Sequence, residues 1–168
     1  MKIGILGGSF DPAHKGHLAI SKEARKRFKL KKIIWAITKK NPLKAESKTP
    51  VSKKIKDCKK IIGLNSFIKV KFYENIIKSN KTIDLINYLQ RNKNIEIFFL
   101  MGADNLINFH KWHKSKLISQ KCNIIVFDRH GYKKNSLKSK TFKSLNNKTL
   151  TFVEFKKVNI SSSQLRKI

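Results

Sequence analysis

Cysteine is nearly absent from this chain: Cys58 and Cys122 are the only two in 168 residues. A disulfide framework is excluded, and the pair lacks metal-ligand spacing. Both thiols read as small, buried side chains of a protein kept in a reducing compartment. Long apolar runs are missing as well. No stretch approaches the roughly 20 residues that span a bilayer. Met1-Lys2-Ile3-Gly4 passes straight into a strand pattern, without the features of a signal peptide. The expected location is cytoplasmic. Acidic residues are scarce, ten against 39 Lys and Arg, for a formal net charge of +29. Arginine is scarcer still, limited to Arg25, Arg27, Arg91, Arg129 and Arg166. Nucleic-acid readers favour arginine for its planar bidentate fork. Here lysines run through nearly every segment and do not align with aromatics. They read as solvated faces of a compositionally biased chain. Specific nucleic-acid binding is not expected, although weak, salt-sensitive adhesion to polyanions is.

Two phosphate signatures are also lacking. Gly4, Gly7 and Gly8 do not form G-x-G-x-x-G, and there is no Walker A sequence. What is present is an alternation of strand and helix patterns. Residues 2–7, 32–38, 67–73, 95–101, 123–128 and 150–155 read as strands. Helical patterns cover 14–28, a segment from Thr49-Pro50 to Ile62 ended by Gly63, a segment after Thr82 carrying Ile83, Ile86 and Leu89, and Ser161 to Ile168. Thr49 and Thr82 stand where helix caps belong. Residues 129–148 are rich in Lys, Asn and Ser and read as an exposed excursion. The alternation predicts a single α/β domain over 1–168, with a Rossmann-like, doubly wound, mostly parallel sheet. Such sheets bind ligands outside the carboxyl ends of their strands, at the switch in strand order. The turn after Leu6, the loop after Thr38, and Gly102-Ala103-Asp104 all fall at such ends.

The most informative segment is Gly7-Gly8-Ser9-Phe10-Asp11-Pro12-Ala13-His14-Lys15-Gly16-His17. It reads as a glycine turn leading from a strand into a helix start. Glycines let a backbone approach an anion, and a helix N-terminus offers unpaired N–H groups. His14 and His17, three apart, share one helix face. Zinc would call for spacing of four with a neighbouring acid. That acid is missing, so no metal ligands are assigned. Two ordinary cap histidines are the plainer alternative. The glycines and the strand–turn–helix context favour phosphate.

Gly8-Ser9-Phe10-Asp11-Pro12-Ala13-His14-Lys15-Gly16-His17 resembles the F-D-P-x-H-x-G-H signature of the nucleotidylyltransferase superfamily. Ile160-Ser161-Ser162-Ser163-Gln164-Leu165-Arg166 resembles its second phosphate motif, S-[ST]-x-[IL]-R. The middle is similar to bacterial nicotinate-nucleotide adenylyltransferases. Phe99-Leu100-Met101-Gly102-Ala103-Asp104, then Phe109 and Trp112, then Arg129-His130-Gly131 match a G-A-D…W…R-x-G stretch. Thr82-Ile83-Asp84-Leu85 and Asn41-Pro42-Leu43-Lys44 match two shorter family motifs. Leu43 replaces a histidine common in relatives, and the chain stops two residues after Arg166, earlier than most. Phosphopantetheine adenylyltransferases share the terminal motifs but not the Gly-Ala-Asp…Trp segment; they are the second reading. A basic nucleic-acid-binding protein on this scaffold is the reading of another class.

The resemblance implies transfer of AMP from ATP to the phosphate of nicotinate mononucleotide, releasing pyrophosphate, with Mg²⁺ arriving on ATP. It implies that His14, His17 and Arg166 act on the phosphates, His17 nearest the α-phosphate. Gly7, Gly8, Ser9, Phe10, Gly102, Asp104, Ser162 and Ser163 would complete the ATP site. Thr82, Trp112 and Lys44 would meet the acceptor. For four of these a plainer role stands beside the functional one: Trp112 as core, Asp104 and Thr82 as helix caps, Lys44 as a solvated lysine. His110 and His113 read as surface groups.

Overall fold

The computed structural model describes residues 1–39, 48–129, 131–145 and 148–155. Six apolar runs become strands: β1 (Lys2–Gly8), β2 (Lys32–Ile37), β3 (Ile68–Lys71), β4 (Glu96–Gly102), β5 (Asn123–Phe127) and β6 (Leu150–Val153). They form one sheet in the order β3-β2-β1-β4-β5-β6, and every neighbouring pair is parallel. The order reverses at β1. The chain first winds outward through β2 and β3, then returns to place β4 on the other side of β1. That is the doubly wound arrangement, and its ligand crevice lies above β1 and β4.

The central strands are apolar at consecutive positions because both faces of the sheet are covered. Alternate side chains enter alternate cores. Leu6, Ile33, Trp35, Ile37, Phe98, Leu100, Ile125 and Phe127 face one core. Ile3, Ile5, Ile34, Ala36, Ile97, Phe99, Met101, Ile124 and Val126 face the other. Each fully buried large side chain stabilises the fold by about 1.5–3 kcal/mol relative to exposure. β3 is one of the two edges, with Lys69 and Lys71 exposed. Charged groups on an edge discourage pairing with another chain.

The first core is covered by α1 (Lys15–Phe28), through Ile20 and Ala24, and by α2 (Val51–Ile62), through Cys58 and Ile62. α1 ends at Lys29 in the left-handed region, whose N–H bonds Arg25 O. Its last turn carries Arg25, Lys26 and Arg27, which complement the negative end of the helix dipole. α2 ends at Gly63, whose φ of +57° glycine adopts without strain. The second core is covered by α4 (Thr82–Leu89), through Ile83 and Ile86, and by α6 (Ser115–Lys121), through Ile118. Cys58 and Cys122 are free and buried, and burial pushes both thiols up to about 12. They are packing groups, as expected. No helix among the described residues is long and apolar enough to cross a membrane.

Several local expectations are corrected. Thr49 does not cap α2; Pro50 holds that position without a side-chain bond, and the Thr49 hydroxyl donates instead to Asp11 Oδ1 at 2.7 Å. Thr82 does not cap α4 either. It is the first helical residue, and the cap is Lys81. Ser79 makes the local bonds there, accepting from Lys81 N and donating to Asp84 Oδ2. A four-residue helix, α3 (Glu74–Ile77), follows β3 where the sequence shows no helical period. The 129–148 excursion is not simply exposed. It contains α7 (Lys133–Leu137) and α8 (Lys140–Leu145), with Ser136, Ser139 and Thr141 buried and Phe142 packed edge-on against Phe152. A lysine-rich surface hid a face of small polar residues. The loop 41–44 and the helix expected over Ser161 to Ile168 lie outside the described residues.

Candidate active site

The turn after β1 is built by two interlocked imidazoles. His14 is the N-cap of α1, and its Nδ1 accepts from Gly16 N at 3.0 Å. His17, in the first turn, uses its own Nδ1 to accept from His14 N at 3.1 Å. This is a capping box in which histidines replace the usual Ser and Glu. Its chemical consequence is a fixed tautomer. An Nδ1 that accepts carries no proton, so each neutral ring presents Nε2–H away from the backbone. The rings lie 4.0 Å apart, centroid to centroid.

Both imidazoles are held neutral. Burial, reinforced by the Arg129 charge, takes His14 down to about 4. Burial foremost, then His14 and Arg129, takes His17 well below the ordinary range. The pair therefore offers two N–H donors without adding charge to the free protein.

Behind His17 stands a rigid wall. Trp35 Nε1 donates to Ser21 Oγ at 2.8 Å, and Ser21 Oγ donates to His17 O at 2.8 Å. Trp35 and Ser21 are fully buried. The Phe10 ring lies 4.6 Å from His17 and 5.2 Å from Trp35. Phe10 holds φ at +49°, a conformation that bulky side chains rarely adopt, and its packing maintains it. Phe10 is buried, and its ring packs against His17.

A cleft of about 450 Å³ opens at the ends of β1, β2 and β4, where the strand order reverses. Gly7, Gly8 and Ser9 form one wall and lead into the histidine turn. Thr82 and Trp112 lie on the other side, joined by Tyr73, Glu74, Lys81 and Lys111. Trp112 is half-buried and packs against Phe109 and edge-on to Phe99. It is thus both a core contact and a cleft wall. Glu74 ties α3 to the end of β2, accepting from Thr38 Oγ1 at 2.6 Å and from Lys39 N at 3.0 Å. His110 and His113 are exposed, as expected, and His113 borders the cleft.

Asp104 sits in the first turn of α5 (Ala103–Leu106), which Gly102 caps, so its plain cap role is excluded. Its Oδ2 accepts from Arg129 Nη1 at 3.0 Å. Gly102 and Asp104 therefore meet Arg129 beside the imidazole pair, and Gly7, Gly8 and Ser9 meet Thr82 and Trp112 in the cleft. Lys44, Ser162, Ser163 and Arg166 lie outside the described residues. The sequence reading missed Ser21, Trp35, Glu74 and the site role of Arg129. Only Arg129 carried a signal, as one of five arginines and part of a motif stretch.

A parallel sheet of this order, carrying a histidine capping box at the β1 turn and a cleft at the switch point, defines a nucleotidylyltransferase-type protein. In agreement, the cytidylyltransferase-like family model matches residues 5–168, and the chain belongs to that family. Within it, the chain is 68% identical over 167 residues to a Pelagibacter ubique (strain HTCC1062) protein named "Probable nicotinate-nucleotide adenylyltransferase", covering 99% of this chain and 93% of the relative. A Bradyrhizobium sp. (strain ORS 278) protein of the same name is 37% identical over 130 residues, covering 77% of this chain and 68% of the relative. The chain is a member of the nicotinate-nucleotide adenylyltransferase family. Its fold is shared with the Plasmodium falciparum nicotinic acid mononucleotide adenylyltransferase complexed with NaAD. That match has a TM-score of 0.80 and 22% identity, covering 99% of this chain and 82% of the other.

Proposed function

We propose that this protein transfers AMP from ATP to the phosphate of nicotinate mononucleotide, giving nicotinate adenine dinucleotide and pyrophosphate. The observation that carries the reading is the continuity of the site. One cleft runs from Trp112 and Thr82 to Gly7, Gly8 and Ser9, and the chain continues from that wall into the turn whose two imidazoles accept backbone amides at Nδ1 and so carry their protons on Nε2. A mononucleotide and a triphosphate need such a succession: an aromatic wall for the ring, then a glycine turn and donors for the phosphates.

The chemistry asks little of acid–base groups. An acceptor phosphate oxygen, anionic at pH 7, attacks the α-phosphorus. A new P–O bond forms as the bond to the bridging oxygen breaks, and pyrophosphate leaves with the electron pair. No proton needs to be removed from the nucleophile. Catalysis is alignment and stabilisation of charge spread over the α-phosphate oxygens. His17 Nε2–H, backed by Trp35, Ser21 and Phe10, is the donor for the α-phosphate; His14 assists. Gly7, Gly8 and Ser9 leave room for the phosphates to approach the backbone. Asp104 accepts from the ATP ribose. Trp112 stacks on the pyridine ring, and Thr82 with the first N–H groups of α4 receives its carboxylate. Lys44, Ser162, Ser163 and Arg166 complete the phosphate contacts on sequence resemblance alone.

ATP enters as its magnesium complex. Among the described residues no three His, Cys, Asp or Glu gather to hold a metal. That donor set suits a cation carried by the triphosphate, where it would offset charge on the departing pyrophosphate.

The test is pyrophosphate release from ATP with three acceptors: nicotinate mononucleotide, its amide analogue and phosphopantetheine. Turnover is expected with the first, well above the other two. Preference for phosphopantetheine, or release with none of them, would overturn the reading.

A further inference from the structure

Arg129 lies just beyond β5, and the mechanism above gives it no role. Its guanidinium makes one ion pair, to Asp104 Oδ2, with both side chains 21% exposed. The pair is packed against the end of β4. A Cβ added at Gly102 would stand 2.6 Å from Asp104 Oδ1 and 3.3 Å from Arg129 Cζ, so a larger residue there would displace the carboxylate. Asp104 Oδ1 is buried and has no hydrogen-bond partner among the described residues. A buried carboxylate oxygen without a donor is costly, and the charge is compensated from one side alone. Whatever orientation Asp104 keeps, Arg129 keeps it there.

We propose that Arg129 is the positioning residue of the nucleotide half of the site: it holds the Asp104 carboxylate with Oδ1 turned in against Gly102, so that the Oδ2 it shares with Arg129 is the oxygen that accepts from a ribose hydroxyl of ATP. This rests on the reading of ATP as donor and Asp104 as ribose acceptor. Arg129 acts through Asp104, so its removal should imitate loss of the ribose contact. Its charge has a second, separable effect. Arg129 is one of the groups that hold the imidazoles down, together with burial and, for His17, the His14 ring. Taking the cation away should let both rings titrate higher.

The experiment measures equilibrium binding of ATP, 2′-deoxy-ATP and 3′-deoxy-ATP by calorimetry, without acceptor. An error in the acceptor assignment therefore leaves this measurement intact. Arg129→Gln is expected to weaken ATP binding about tenfold, the scale of one charge-assisted hydrogen bond. For the deoxynucleotide that lacks the recognised hydroxyl, wild type and variant should agree within about twofold, because the contact is already gone. Asp104→Asn combined with Arg129→Gln should be no worse than either alone. Arg129→Lys, which keeps charge but loses the planar fork, should recover part of the affinity. NMR titration of the free protein should show the His14 and His17 signals moving to higher pH in Arg129→Gln. Equal penalties for all three nucleotides would overturn the proposal, as would unchanged ATP affinity; unmoved histidine titrations would overturn the second effect alone. Should Arg129→Gln unfold, Arg129→Lys read against the same three nucleotides decides the matter by the same criterion.

Discussion

The two halves of the site are made in opposite ways. The phosphate turn is local. His14, Gly16, His17 and Ser21 lie within eight consecutive residues, and each Nδ1, hydroxyl and cap amide described there has a partner. The acceptor cleft is assembled at long range from the end of β2, the four-residue α3, the start of α4, and a 3-10 turn over Phe109–Lys111. None of those three helical starts carries a side-chain cap bond. A turn whose polar groups are mutually satisfied is stiff and intolerant. Short uncapped elements joined by single contacts are adjustable. The chemistry fits this division, because in-line attack demands a fixed α-phosphate while an acceptor must enter and a dinucleotide must leave.

The comparison predicts that damage in the turn is large and affects the reaction or the whole fold, whereas damage in the cleft is smaller and affects one substrate. The largest effect concerns pH. His14 falls from 6.5 to about 4 on folding, so between those values the unfolded chain binds a proton that the folded chain refuses. Its contribution to stability is complete above about pH 6.5 and is lost as pH falls toward 4, a difference of about 3 kcal/mol. His14→Asn keeps a good N-cap and cannot titrate. Urea unfolding at pH 7.5, 5.5 and 4.5 should show a flatter pH dependence for the variant. Parallel curves would mean that the turn is not the sealed unit described.

Next in size is His17→Ala. Its Nε2–H should act more strongly on the transition state than on bound ATP, so kcat should fall about a hundredfold with a modest change in KM. Single-turnover rates check it, and activity within threefold of wild type would remove His17 from the reaction. Trp112→Ala should act on the other half. The acceptor KM should rise about tenfold, the scale of a lost aromatic stack, while the ATP KM moves little. A rise in the ATP KM instead would make Trp112 a core residue alone.

The same division explains what could be read in the sequence. The turn was legible because glycines, histidines and the helix start are consecutive, and the strands because their apolar runs are continuous. The parallel, doubly wound class followed from the alternation; the strand order did not. Beyond Gly7, Gly8, Ser9 and the strand end at Thr38, the cleft was legible only at Trp112 and Thr82, both through resemblance. Glu74 and Tyr73 gave no pattern, since α3 is one turn long and its bonds reach back to Thr38 and Lys39. The two misplaced caps differ in cause: one hydroxyl finds a better-placed partner, and the other sits one residue inside the helix. Thr49 serves Asp11, across 38 residues. Near Thr82, Ser79 accepts from the Lys81 amide and donates to the Asp84 carboxylate, and the helix start itself has no side-chain cap.

Glu74→Gln tests the adjustable half most finely. The carboxylate accepts from the Thr38 hydroxyl and the Lys39 amide. Glutamine keeps one oxygen for the Lys39 amide, and its NH₂ can donate to Thr38 if that hydroxyl rotates to accept. Both partners remain satisfied, and what is lost is charge on a half-exposed wall. The acceptor KM should therefore change about two- to threefold, below the roughly 1 kcal/mol of a typical single hydrogen bond. Thermal midpoint and ATP KM should stay within error. The comparable small change in the turn, Ser21→Ala, would leave the buried Trp35 Nε1 without its acceptor, and no rotation is available to repair it. A tenfold loss of kcat in Glu74→Gln would break the contrast, because it would place that carboxylate in the reaction rather than in the wall.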